Sequence, residues 1–391
     1  MSADVVVTGV GVVTAFGRGL EVLCEGLSQG RSALAPLAGF GGLPVGAAAA
    51  VEGVDDVEGY EDDRKAALAL VAARQASEGI DVEGAGVWLG TGLSSVTPRE
   101  LAEDAFPHLV DGALDRDAIH SDVARGRVAP NRHLPERTTA LVASQLGCRG
   151  PQQTSFSACA AGALAIANAA RAIRRGEVDV AVCGGHDAMI HPLGVLSFIV
   201  LGALSPERCR PFDRSRDGFS IGEGAAILVL ERGDRVPEER VLARVLGAGS
   251  SVDSHNVTAP HPEGAGAALS MERALRDAGL STVDHVNAHG TGTPLGDAVE
   301  AKAIARVLGP RVPVSSIKGA IGHCIAAAGA VEAAACIGAL AGGWTPGTAG
   351  CERADGLGVS VQLEPAGPAR TILSNSFGFG GQNCSLIFGR A

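Results

Sequence analysis

Aromatic side chains make up only 3% of this 391-residue chain, and its nine cysteines include no CxxC pair. Cys24, Cys148, Cys159, Cys183, Cys209, Cys324, Cys336, Cys351 and Cys384 are odd in number and mostly set among apolar residues. That pattern speaks against a disulfide framework or a structural zinc site and leaves most of them as buried, inert thiols. Basic residues are outnumbered, 32 Lys and Arg against 43 Asp and Glu, for a net charge of −11. That balance argues against nucleic acid as a main partner, and an acidic protein partner would need a local basic patch. Apolar runs break at glycine or charge well short of the roughly 20 residues that span a bilayer. The N-terminus has no basic n-region. A cytoplasmic protein with no membrane partner is expected. What the chain does have is 46% apolar residues and 55 glycines, which predict a sizeable core with closely approaching backbones.

The chain opens on a buried strand, Val5 to Val13. Its Gly9-Val10-Gly11-Val12-Val13-Thr14 matches the dinucleotide fingerprint only in part and reads as a strand-to-helix turn. Helices are expected over Glu21 to Gln29, Arg64 to Glu78, Ala160 to Arg175, Ala267 to Ala278, Ala298 to Leu308 and Gly329 to Leu340. Strands are expected over Val87 to Gly90, Val178 to Cys183, Ala225 to Glu231 and Val312 to Ser316, with a new series starting at Arg240 to Gly247. Gly222-Glu223-Gly224 and Gly380-Gly381-Gln382 each feed a similar terminal strand, so the chain reads as a duplicated α/β unit with halves 1–235 and 236–391.

Three distant segments carry chemistry: Ser157-Ala158-Cys159-Ala160-Ala161-Gly162, Asn287-Ala288-His289-Gly290-Thr291-Gly292-Thr293 and Lys318-Gly319-Ala320-Ile321-Gly322-His323. Cys159 stands where a strand turns into an Ala-rich helix, so the helix N-terminus should favour its thiolate, a nucleophile for thioesters. Two neutral imidazoles, His289 and His323, can donate to one carbonyl oxygen and stabilise the enolate left when a malonyl thioester loses carbon dioxide. His285 and His289 have i, i+4 spacing but no HExxH context, so no metal is expected. His108, His120, His133, His255 and His261 read as surface or loop residues.

The ordered set Ser157 to Gly162, Arg210-Pro-Phe-Asp213 with Arg216-Asp-Gly-Phe219, His289 to Asp297 with Glu300, Lys318 to His323, and Asn375 to Gly381 resembles the elongating Cys-His-His β-ketoacyl-acyl carrier protein synthases of the thiolase superfamily, both fatty-acid and type II polyketide. The resemblance implies a five-layered α-β-α-β-α fold, usually dimeric. It also implies that the first half carries the nucleophile Cys159 and the second half His289 and His323. Lys318 would pair with Glu332, and Thr291 and Thr293 would hold the phosphopantetheine arm. Phe379 would gate the site and complete the oxyanion hole with the Cys159 amide, and Phe377 and Phe198 would contact substrate. Asp297 and Glu300 have loop fixing as an alternative role. The reaction implied is decarboxylative condensation of malonyl carrier with an acyl group on Cys159. The substrates ride on carrier phosphopantetheine, with no bound cofactor. Partial reactions alone, acyl transfer or decarboxylation, and a chain-length-factor-like subunit are the alternatives; Cys159 with both histidines opposes the latter. Homodimer and heterodimer with such a factor stay open.

Departures from the family pattern include a short connection from Ser205 to Arg210, Ile317 before Lys318, Gln382 where threonine is usual, and Pro135-Glu136-Arg137 in a stretch that is mostly apolar in fatty-acid enzymes. The expected acyl group is therefore short, polar or unsaturated, unless Glu136 and Arg137 merely pair at a dimer surface. Arg64, Lys65 and Arg208 match positions that receive the carrier in related synthases, with ordinary solvated charge as the other reading.

Overall fold

The computed structural model describes residues 4–37, 40, 42–43, 45–54, 63–92, 98–128, 134–354 and 356–391; His133 lies outside them. Ten main strands follow one another as β1 (Val5–Thr14), β2 (Gly86–Thr91), β3 (Gln152–Phe156), β4 (Val180–Ala188), β5 (Glu223–Arg232), β6 (Ala243–Val252), β7 (His285–Asn287), β8 (Pro313–Ser315), β9 (Thr371–Gly378) and β10 (Gln382–Arg390). The first five lie in the order β3-β2-β4-β5-β1, and the last five in the order β8-β7-β9-β10-β6. In both sets the first three strands are parallel and the other two antiparallel. The sets join where Val6 and Val7 of β1 pair with Arg244 and Ala243 of β6.

Period-two alternation sorts each strand between two helical layers. In β4 and β5, Val182, Ala225, Ile227 and Val229 pack against α1 (Arg64–Ala76) on the outside. Ala181, Cys183, Ala226 and Leu228 face a central layer built from α2 (Ala161–Arg174) and α5 (Ala328–Gly342). The second set is covered outside by α3 (Ala265–Ala278) and α4 (Pro294–Leu308). The result is five layers, α-β-α-β-α. The segment Ile325–Gly342 is apolar over 18 residues, yet 89% of it is buried as the core's central helix.

The central helices approach closely because glycine occupies their contacts. A Cβ on Gly162 would lie 2.9 Å from the Ala326 carbonyl oxygen, and one on Gly329 would lie 2.9 Å from the Ala163 nitrogen. Gly9 and Gly11 do not form the expected turn. Both lie inside β1, where a Cβ would come within 2.0 and 1.9 Å of α1 carbonyl oxygens, so they are the seat of a helix on a sheet. Boundaries also move. β4 runs through Gly184-Gly185 to Ala188 instead of ending at Cys183, and α4 starts at Pro294, with proline near the N-terminus and Asp297 in the first turn.

Candidate active site

β3 delivers the chain to Ser157, and a single 3-10 turn, Ala158–Ala160, places Cys159 just ahead of α2. Ala158 takes φ of 44° to make that turn, an uncommon conformation for a residue with a Cβ. β7 ends at Asn287 and hands on to His289, and the short helix Lys318–Ile321 ends at Gly322, next to His323. Ile325, with φ of 47°, is the matching tight point beyond that histidine. Three segments remote in sequence thus converge at one end of the central layer.

There His323 Nε2 lies 3.1 Å from Cys159 Sγ. The Ile325 N–H donates to His323 Nδ1 at 3.3 Å, so the neutral ring carries its proton on Nε2 and points it at the sulfur. Lys318 Nζ stands 3.4 Å from His289 Nδ1 and fixes the same tautomer there. The imidazoles meet edge to face with centroids 5.4 Å apart. Burial holds both well below the ordinary imidazole range, and the Lys318 charge adds to the effect. They are therefore two neutral N–H donors converging beside one sulfur, the arrangement that stabilises an enolate oxygen.

Lys318 also contacts Glu332 on α5, with both side chains fully buried. Burial raises the Glu332 carboxyl to about 7 against the pull of Lys318. Glu300 takes the loop-fixing role. It accepts from the backbone N–H of His289 at 2.8 Å and of Gly290 at 2.7 Å, and from Asn375 Nδ2 at 3.1 Å. Asp297 does likewise for the N–H groups of Phe212 and Gly292. His285 is a core residue bonded to Ser315 Oγ at 2.8 Å, turned to a different task from His289.

A cavity of about 360 Å³ runs from this cluster to the surface. It is lined by Cys159, His289 and His323 and by the expected Thr291, Thr293, Phe198, Phe377 and Phe379. The two threonine hydroxyls lie 3.0 Å apart, forming a polar strip along the cavity wall. Phe377 stacks obliquely on His289 with centroids 5.9 Å apart. Phe219, quoted in the Arg216 to Phe219 motif but given no role, stands edge-on between His323 at 5.1 Å and Phe198 at 5.3 Å. Asp187 had no sequence signal at all; its carboxylate accepts the Ala326 N–H at 3.1 Å and so anchors the turn beyond His323.

The expected standing thiolate is corrected. Burial pushes the Cys159 thiol up to about 12; Lys318 and the Phe379 N–H pull it down, while Asp187 and Glu332 oppose ionisation. The sulfur rests as a thiol, and the donors around it stabilise negative charge only as it develops during attack. Alkylation of Cys159 by iodoacetamide should accordingly rise about tenfold per pH unit from pH 7 to 9. A plateau across that range, read by peptide mass spectrometry, would show a thiolate already present.

The structure also corrects one of three expected docking residues and ties a second to a neighbour. Arg64 Nε donates to both carboxylate oxygens of buried Glu223 at 3.0 Å, and its Nη2 reaches the Val51 carbonyl. Lys65 is buried, held by the opposing fields of Asp63, Glu100 and Asp187. Lys65 is not presented to a partner, whereas the Arg64 side chain, tied to Glu223, keeps 30% of its surface exposed. Arg208 is partly buried beside Cys209. Arg137 pairs with Glu100 and, at 3.4 Å, with Asp63, not with Glu136.

A buried thiol and two neutral N–H donors gathered in one cavity fit a thioester-condensing acyltransferase. Family models agree: "Beta-ketoacyl synthase, N-terminal domain" matches residues 2–235, and "Beta-ketoacyl synthase, C-terminal domain" matches residues 242–352. A 3-oxoacyl-[acyl-carrier-protein] synthase 2 of Vibrio cholerae is 36% identical, over 99% of both chains. Among solved structures, the ishigamide ketosynthase/chain length factor superposes with a TM-score of 0.85 at 30% identity, covering all of both chains. A type II polyketide acyl-carrier protein in complex with its ketosynthase bound to the hexaketide gives 0.87 at 27%, again with full coverage. The chain belongs to the β-ketoacyl synthase family, and is a ketosynthase of fatty-acid or polyketide synthesis.

Proposed function

We propose that the chain joins malonyl units to an acyl group held on Cys159 while both ride on a carrier protein. Carriage begins with thioester exchange: the Cys159 thiol attacks the acyl carrier's carbonyl, and the carrier's pantetheine leaves as a thiol carrying the displaced proton. Malonyl carrier then enters along Thr291 and Thr293. Loss of carbon dioxide leaves an enolate whose oxygen accepts from His289 Nε2 and His323 Nε2. Its carbon attacks the acyl-enzyme, the Cys159 and Phe379 amides receive the tetrahedral oxygen, and the sulfur departs to reclaim a proton. The single observation that carries this is the 3.1 Å contact between Cys159 and His323, with His289 beside it in one cavity. No dissociable cofactor enters any step.

The partners of the structural relatives, an acyl carrier and a chain-length factor, are the kinds of partner this reading assigns to the chain, in the cytoplasm. A dimer suits the sheet: β3 ends it, with Phe156 49% exposed at its tip. For substrate we infer a short, polar or unsaturated acyl group. The support is the stretch Pro135-Glu136-Arg137, mostly apolar in fatty-acid enzymes, where Arg137 here pairs with buried Glu100 and, at 3.4 Å, with buried Asp63. Such groups disfavour a long alkyl chain. Condensation assays with a panel of acyl carriers should give at least about tenfold higher kcat/KM for short or unsaturated chains than for saturated chains of sixteen carbons, a difference of about 1.4 kcal/mol. A preference for the long saturated chain would overturn the substrate assignment.

A further inference from the structure

Enolate stabilisation asks one thing of His323 that its own backbone does not supply: the ring proton must sit on Nε2. The His323 N–H donates to the Ser220 carbonyl at 2.8 Å, and its carbonyl accepts from the Gly222 N–H at 2.9 Å. Those bonds place the residue without choosing a tautomer. The choice falls to the Ile325 N–H on Nδ1. Ile325 does this with φ of 47°, a conformation that β-branched side chains rarely adopt. It persists only where the surroundings over-determine it.

Those surroundings converge on the next residue. Asp187 Oδ2 accepts the Ala326 N–H at 3.1 Å, while its Oδ1 accepts the Ala188 N–H at 3.0 Å. The carboxylate is fully buried near the end of β4, where a charge-assisted bond is strong. Room for it comes from Gly92, just after β2, where a Cβ would lie 2.4 Å from Asp187 Oδ2. The Ala326 carbonyl is boxed in as well: a Cβ on Gly162 or on Gly185 would lie 2.9 Å from its oxygen. Ala326 is thus held at its N–H by a carboxylate and at its carbonyl by close backbones. Burial above all holds the Cys159 thiol up, and among the acids Asp187 adds more than Glu332, so its charge is felt at the sulfur too.

We propose that Asp187 is a positioning residue for the condensation: by clamping Ala326 it keeps the Ile325 N–H on His323 Nδ1 and so keeps the Nε2 donor aimed at the enolate. The role rests on the ketosynthase reading above. Without the clamp, Ile325 returns to an ordinary φ and Nδ1 loses its donor. The ring is then free to carry its proton on Nδ1 and to turn an acceptor toward the enolate oxygen. Acyl transfer to Cys159 draws on no proton at His323 Nε2 and is spared.

Three variants separate the clamp from the charge. Alanine and serine at position 187 are too short to reach the Ala326 N–H, although serine can still accept from Ala188. Asp187→Asn keeps an oxygen for Ala326 and drops the charge. Lys65 retains the fields of Asp63 and Glu100 in all three. Decarboxylation of malonyl carrier should fall about 10- to 100-fold in kcat for Asp187→Ala and Asp187→Ser, with KM within about twofold. Asp187→Asn should stay within about threefold of wild type. Transfer of an acyl group from its carrier to Cys159, followed by intact mass, should hold within about threefold in every variant, which also reports that they fold. Wild-type decarboxylation in Asp187→Ser overturns the clamp. So does an equal loss in Asp187→Asn, which would assign the effect to the charge. Acyl transfer that falls in step with decarboxylation overturns it too, because Asp187 would then support the whole site. A wild-type chain that neither takes up an acyl group nor decarboxylates malonyl carrier overturns the ketosynthase reading itself, and the role of Asp187 with it.

Discussion

Cys159→Ala should abolish condensation, by at least about 10⁴-fold, while malonyl carrier is still decarboxylated. The asymmetry follows from which atoms each step uses. Acyl storage needs the sulfur, and no second thiol can replace it: Cys324 and Cys209 are buried, and burial above all pushes both thiols up, that of Cys209 to about 12. Enolate formation needs only the Nε2–H donors of His289 and His323, whose tautomers are set by Lys318 and by the Ile325 N–H. Those partners do not touch the sulfur, so the donor pair survives its removal. Carbon dioxide release measured beside 3-oxoacyl product separates the two steps. Loss of both in the alanine variant would mean that the cysteine organises the donors as well as carrying the acyl group.

Lys318→Met should be the most damaging change away from the sulfur. The lysine is 1% exposed and faces Glu332, itself 2% exposed, so its loss leaves a buried carboxyl without its partner, at a cost of about 3–5 kcal/mol. It also frees His289 Nδ1, so that the ring can take the other tautomer and turn an acceptor toward the enolate; a fall of about 10²–10³-fold in decarboxylation is expected. The double variant Lys318→Met with Glu332→Met tells the two effects apart. Removing both charges should recover most of the stability in denaturant titrations and none of the decarboxylation rate. Recovery of both would reduce the lysine to a packing role.

The parts of the site that sequence made legible are those where chemistry dictates residue type. A cysteine among small residues at a helix start and histidines framed by glycine suit the step assigned to them, so Cys159, His289 and His323 are legible from residue chemistry, while Lys318 comes only with the family resemblance. Charges read differently. Arg64 and Lys65 look like solvent-facing cations until β5 brings Glu223 against one and the neighbourhood of Asp187 closes over the other, from residues more than 100 positions away. The same holds for Arg137, whose partner Glu100 lies on another segment. Gly9 and Gly11 carry a turn's signature, yet their purpose is visible only once α1 lies across β1. The ionisation state of Cys159 escapes a sequence reading for a related reason. A helix start is a local feature, whereas the burial that outweighs it is a property of the assembled core.

Intact-mass and peptide-mapping analysis of the wild-type chain, first with an acyl carrier and then with malonyl carrier, bears most directly on the whole scheme. One acyl group should appear, on Cys159 alone, and then vanish as an equal amount of 3-oxoacyl carrier forms. An acyl mark on any other residue, or one on Cys159 that malonyl carrier leaves in place, would contradict it.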